Sequence, residues 1–210
     1  IVKYESLLRI INSKEEVITP FFFMDIAKKS GYYLDLTKRV IENASKILHR
    51  NKTIHISINL SSSDIEDMEI RDLLFELVSL KENKGRVTFE LLEDEEVQDL
   101  EAIKFFIELT KIAGDVKISI DDFGSGYSNY ERLNVFQPDF IKIDGSLIKD
   151  ILTSKYNQSI VKSIIIFAKE NGIKTIAEFV SDEKIHQKVK ELGVDFSQGF
   201  YFGKPEPIIS

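Results

Sequence analysis

Two adjacent aspartates, Asp121 and Asp122, close the alternating run Lys117-Ile118-Ser119-Ile120 and lead into Phe123-Gly124-Ser125-Gly126-Tyr127. Carboxylates crowded together repel, and some take up protons unless a cation lies among them. The chain carries further oxygen donors at comparable places, namely Glu5, Asn59, Glu90 and Glu178. Such hard ligands suit Mg2+ or Mn2+ better than zinc. The expected site is therefore a divalent-metal centre built around Asp121-Asp122. With one aspartate bridging and the other holding a second ion, two ions about 3.5–4 Å apart form a clamp for in-line displacement at phosphorus. Lys142 is placed to orient the attacking water or to stabilise the charge that develops. The chain has no cysteine, which excludes disulfides, thiolate nucleophiles and thiolate-held zinc or iron–sulfur centres.

These residues need elements to hold them. β-like runs are expected at 2–8, 54–60, 87–92, 116–121, 140–144, 174–178 and 196–202. Amphipathic helical stretches are expected at 22–28, 34–49, 70–80, 99–113, 157–171 and 182–192. Gly172 and Gly193 follow helices and suit left-handed caps. Strand-like and helical segments alternate, which predicts βα units around a parallel sheet. Seven strands in one series predict a barrel lacking one strand. Successive strand residues face opposite ways. In Ile54-His55-Ile56-Ser57-Ile58-Asn59-Leu60 the isoleucines oppose His55, Ser57 and Asn59, and His55 reads as a satisfied core histidine. The same parity sets Glu90, Asp121 and Lys142 on inward faces near the C-terminal ends of their strands. In a (β/α) barrel that end is where catalytic groups converge.

Composition narrows the function classes. Hydrophobic residues make up 43% and charged residues 30% of 210, a globular mixture. A net charge of −7 argues against a broad duplex-binding surface. It leaves room for a small anionic ligand beside bound cations. No apolar run reaches membrane-spanning length and no signal peptide is visible. The first residue is Ile1, so the expectation is a piece of a longer chain. The Gly-x-Gly of Gly124-Ser125-Gly126 is a weak signal alone. A protein-kinase Asp-Phe-Gly is rejected because no His-Arg-Asp loop or phosphate-covering glycine loop accompanies it.

The motifs taken together resemble those of EAL domains. Glu5-Ser6-Leu7-Leu8-Arg9, Asn59-Leu60-Ser61, Glu90-Leu91-Leu92-Glu93, Asp121-Asp122-Phe123-Gly124-Ser125-Gly126-Tyr127-Ser128, Lys142-Ile143-Asp144, Ala177-Glu178 and Gln198-Gly199-Phe200-Tyr201-Phe202-Gly203-Lys204-Pro205 occur in the family's order. The resemblance implies one α/β domain over 1–210, a modified TIM-type (β/α)8-like barrel without its first strand. It implies a cyclic-di-GMP phosphodiesterase that uses two Mg2+ or Mn2+ ions to produce linear pGpG. Glu5, Asn59, Glu90 and Asp121 would hold one ion, and Asp121, Asp122 and Glu178 the other. Lys142 and Glu178 would act in catalysis, with Glu93 tethering the loop that begins at Asp122. Leu7 and Arg9 would contact the ligand, and Asp144 and Gln198 would complete the walls. A homodimer, attached regulatory or sensor domains and a cytoplasmic setting are implied too, with any membrane anchor in segments outside this sequence.

Several positions depart from the family pattern. Glu-Ala-Leu reads Glu5-Ser6-Leu7, and Leu92 replaces a threonine. Ala-Glu-Gly-Val-Glu reads Ala177-Glu178-Phe179-Val180-Ser181. Phe179 adds bulk where glycine permits close backbone approach, and Ser181 removes an acid near the second ion. These two positions motivate the alternative, a catalytically weak or inactive EAL-type receptor that signals ligand occupancy to an attached domain.

Overall fold

The computed structural model describes residues 3–92, 99–124 and 130–207. They form two compact units, one of residues 3–89 with 101–116, the other of 90–92 and 99–100 with 117–124 and 130–207.

In the first unit, β1 (Tyr4–Ser6) is followed by a small antiparallel hairpin, β2 (Ile10–Ile11) and β3 (Val17–Ile18). Helix α1 (Pro20–Ser30) starts with proline at its first position, where the missing N–H costs nothing. Helix α2 (Tyr33–Arg50) buries Thr37, Ile41, Ala44 and Leu48, a stripe at helical spacing. Strand β4 (Ile56–Leu60) pairs in parallel with β1, Glu5 opposite Ser57. A short helix α3 (Ser62–Glu66) and then α4 (Met68–Ser79) follow. The order of neighbouring strands is β1-β4-β5, where β5 is Val87–Leu92. Helix α5 (Leu100–Gly114) buries Ile103, Phe106 and Ile107, and Phe106 stacks on Phe89 of β5.

The second unit carries β6 (Lys117–Phe123), α6 (Tyr130–Phe136), β7 (Phe140–Ile143), α7 (Gly145–Lys149), α8 (Lys155–Glu170), β8 (Lys174–Ala177), α9 (Glu183–Leu192) and β9 (Phe196–Ser197). Its strand order is β6-β7-β8-β9, and these neighbours pair in parallel. Ile118, Ser119 and Ile120 are all buried, the mark of a parallel strand covered on both faces. Gly172 and Gly193 both adopt the expected left-handed conformation.

Differences from the sequence expectation have local causes. The β2–β3 hairpin was not expected. Its turn is set by Asn12, whose Oδ1 accepts from the Lys14 and Glu16 amides. The 196–202 run is strand only at Phe196–Ser197, because the chain then turns, with Phe202 N–H bonded to Gly199 O and Tyr201 N–H to Val180 O. His55 is exposed, which overturns its reading as a core histidine, because it lies one residue before β4 begins.

Candidate metal centre

Strand β6 runs two residues beyond its expected end because Asp121 and Asp122 sit in an irregularity. Its register against β7 shifts between Ile120 and Phe123, and Asp122 has a left-handed φ of 54°. A bulge suspends strict side-chain alternation. Two consecutive aspartates thereby serve one place: carboxylate oxygens of Asp121, Asp122 and Glu178 all lie within 4.8 Å of one another. Glu178 arrives directly after β8, its amide bonded to Ile143 O at 3.2 Å.

Lys142, on β7, is the positive centre of the cluster. Its ammonium lies 2.9 Å from Glu90, 2.9 Å from Asp121 and 3.0 Å from Glu178. The Lys142 side chain is 1% exposed and that of Glu90 0%. Such burial is tolerable only because the charges are paired.

Asp122 differs from its neighbours. Burial, then the charges of Asp121 and Asp144, push its carboxyl up to about 6, and a hydrogen bond to Asp144 adds to the shift. Asp144 goes the other way: burial would raise it, but hydrogen bonds from the Ser146 hydroxyl and amide, and from Asp122, hold it below the usual carboxylate range. Of the two, Asp122 is the carboxyl that holds a proton more tightly. Asp144 also caps α7 through the Ser146 amide at 2.9 Å.

Phe179, next to Glu178, has a left-handed φ of 52°, a conformation that glycine adopts without strain. Its ring lies against Gly145: a Cβ added there would stand 2.2 Å from a ring carbon. The Lys149 ammonium sits 4.6 Å from the ring centroid. Gly145 thus makes room for the bulk that Phe179 introduces. Ser181 is exposed and its hydroxyl donates to Asp182. Gln198 tethers the segment after β8 through its backbone, donating to Ala177 O at 2.8 Å and accepting from Val180 N at 3.0 Å.

In the first unit the structure brings Glu5 and Asn59 together, the Asn59 amide donating to Glu5 at 2.9 Å. Leu7 is exposed, and Arg9 is half-buried with its guanidinium on Leu8 O at 2.7 Å. Glu93 lies outside the described residues, as do Ser125 to Ser128.

The chain matches the model of one family, the EAL domain, over residues 1–205. It belongs to the EAL domain family. The cyclic di-GMP phosphodiesterase PdeF of Escherichia coli K12 is 30% identical over 99% of the chain, and the cyclic di-GMP phosphodiesterase PdeA of Borreliella burgdorferi is 34% identical over 98%. The chain spans 28% and 31% of those two relatives. Among solved structures, the FimX EAL domain of Pseudomonas aeruginosa bound to c-di-GMP superposes with a TM-score of 0.88 at 25% identity, covering 98% of this chain and 84% of that one. An EAL domain protein of Listeria monocytogenes gives 0.87 at 28%, covering 99% and 83%. The expected α/β fold, a modified TIM-type barrel, is that of these EAL domains.

The donors of this EAL domain fit a hard divalent cation. Asp121, Asp122 and Glu178 offer three carboxylate oxygens in one small space, with no nitrogen or sulfur ligand among them. The signal that sequence reading missed is the bulge. Its only trace is the Asp-Asp doublet, which strict alternation would have split between two faces.

Proposed function

We propose that this EAL domain hydrolyses cyclic-di-GMP to linear pGpG with two Mg2+ or Mn2+ ions. The observation that carries the reading is the Asp121-Asp122-Glu178 oxygen cluster with the buried Lys142 ammonium against it. Relatives named as cyclic di-GMP phosphodiesterases support the substrate, as does the FimX domain bound to c-di-GMP. In this reading Asp121, Asp122 and Glu178 hold one ion, and Glu5, Asn59, Glu90 and Asp121 the other. When bound, the ions supply charge compensation at the phosphate and make water a better nucleophile. Lys142 orients the attacking water and balances the negative charge of Glu90, Asp121 and Glu178. Leu7 and Arg9 contact the ligand, Asp144 and Gln198 wall the site, and Glu93 tethers the loop after Asp122.

The domain works in this reading as a homodimer in the cytoplasm. Sensor or regulatory domains accompany it, an idea supported by its covering less than a third of the relatives named above. Among the described residues no helix is long and apolar enough to cross a membrane. The receptor alternative rests on Phe179 and Ser181, but the metal donors and Lys142 are all retained.

The test is to incubate the domain with cyclic-di-GMP and Mg2+ or Mn2+ and resolve products by chromatography. Linear pGpG is expected. Binding of cyclic-di-GMP in Ca2+ with no linear product in Mg2+ or Mn2+ would establish the receptor instead.

A further inference from the structure

Two residues beyond Asn59, the chain enters a polar knot that the proposed reaction does not use. Asp64, on α3, is 0% exposed, and a lone carboxylate at such a place would be strongly disfavoured. Here it accepts four hydrogen bonds. The Tyr33 hydroxyl donates at 2.7 Å and the Thr37 hydroxyl at 2.8 Å. The Ser61 amide and hydroxyl each donate at 2.8 Å. A capping box needs only the reciprocal Ser61–Asp64 pair. The contacts to Tyr33 and Thr37 are additional, and these residues stand one turn apart on α2. Burial and the facing Asp64 charge hold the Tyr33 phenol well above its usual pKa, so it stays a donor.

The knot sits where it bears on a ligand. Asn59 is exposed, near the end of β4. Its Nδ2 donates to Glu5, so Oδ1 is the atom it can offer to a cation. The direction of the strand end then sets where that oxygen points. Ser61 is the first residue after β4, and its backbone N–H is held by Asp64. We propose that Asp64, anchored to α2 by Tyr33 and Thr37, is a positioning residue that aims Asn59 and Glu5 at a divalent cation. This rests on the metal-dependent reading above. A displacement of about 1 Å at a ligand is enough to cost on the order of 100-fold in function.

The test measures Mn2+ binding to the metal-free domain by calorimetry and electron paramagnetic resonance, for wild type, Asp64→Asn and Tyr33→Phe. Asp64→Asn keeps the shape but turns an NH2 toward donors that need an acceptor. The wild type should bind two ions. In Asp64→Asn, one of the two steps should weaken by about 10–100-fold, as when a residue supporting a metal ligand is lost. The other step should stay unchanged, and Tyr33→Phe should move the same step by less. Half-saturating Mn2+ for hydrolysis should rise in parallel, while kcat recovers at saturating Mn2+. Unchanged affinity in both variants, or an equal loss at both steps, would reduce Asp64 to a fold residue and overturn the proposal. If Asp64→Asn does not fold, the single hydroxyl removed in Tyr33→Phe decides the matter. A wild-type chain that binds no Mn2+ overturns the metal-dependent reading itself, and the proposal with it. A normal wild type beside unaltered variants overturns the proposal alone.

Discussion

Replacing Lys142 by methionine tests the electrostatics of the site directly. The side chain is 1% exposed and touches three carboxylates at 2.9–3.0 Å. Each contact carries roughly 6 kcal/mol of gross attraction at an effective dielectric of about 20. Desolvation of the ammonium and the acids offsets most of it. Removing one partner still leaves buried acids uncompensated, and that costs about 3–5 kcal/mol. For a chain of this size, about 2–4 °C of melting temperature corresponds to 1 kcal/mol. Lys142→Met should therefore lower the melting point of the metal-free domain by about 6–20 °C near pH 7. The loss should shrink in acid, as the stranded carboxyls take up protons. Saturating Mn2+ should restore much of the stability, because the acids regain a cation. It should not restore pGpG production, because no ammonium remains to orient water. The assay pairs thermal melting, with and without Mn2+, with chromatographic product analysis. A metal-free Lys142→Met chain that melts with the wild type would refute the ammonium as the charge holding Glu90, Asp121 and Glu178 together.

Asp122 predicts a pH dependence. Its carboxyl is raised from 3.8 to about 6 in the folded chain, so the folded state binds the proton more tightly than the unfolded one. The associated stability is present below about pH 4 and lost as pH rises through about 6, and melting curves of Asp122→Asn should lack that step. Mn2+ affinity should rise across the same window with proton release, visible as buffer-dependent binding heat. Asp121→Ala removes an oxygen from the three-carboxylate cluster and should reduce turnover by more than about 100-fold, read as initial rate at saturating Mn2+. Gly145→Ala sets a methyl against the Phe179 ring and should cost about 1–3 kcal/mol. Phe179→Gly in the same chain should return most of it, a coupling of about 0.5–3 kcal/mol from a double-mutant cycle in urea; additive losses would refute the packed contact.

Much of this was legible beforehand because strand parity and helix spacing are local. Ile56, Ile58, Ile118 and Ile120 alternate along their strands, and their burial follows the sequence. Lys142 and Glu90 likewise lie on predicted inward faces, and the two meet at 2.9 Å. The β2–β3 hairpin was missed because two-residue strands carry almost no periodic signal, although Asn12 held the turn chemistry. The run after Ser197 looks like strand in composition, yet backbone bonds to Val180 and Gly199 turn it aside. His55 shows the limit of parity, which holds only inside the paired strand.

By itself the sequence determined the donor types, their order along the chain and the departures at Phe179 and Ser181. Those are properties of single residues and of short-range alternation. The tertiary structure decided how Asp121 and Asp122 reach one cluster with Glu178, through a register irregularity and a left-handed φ at Asp122 that strand parity does not foresee. It alone matched the bulk of Phe179 to the bare Cα of Gly145. It alone tied Asp64 to α2, because a buried carboxylate is tolerated only where remote hydroxyls converge on it.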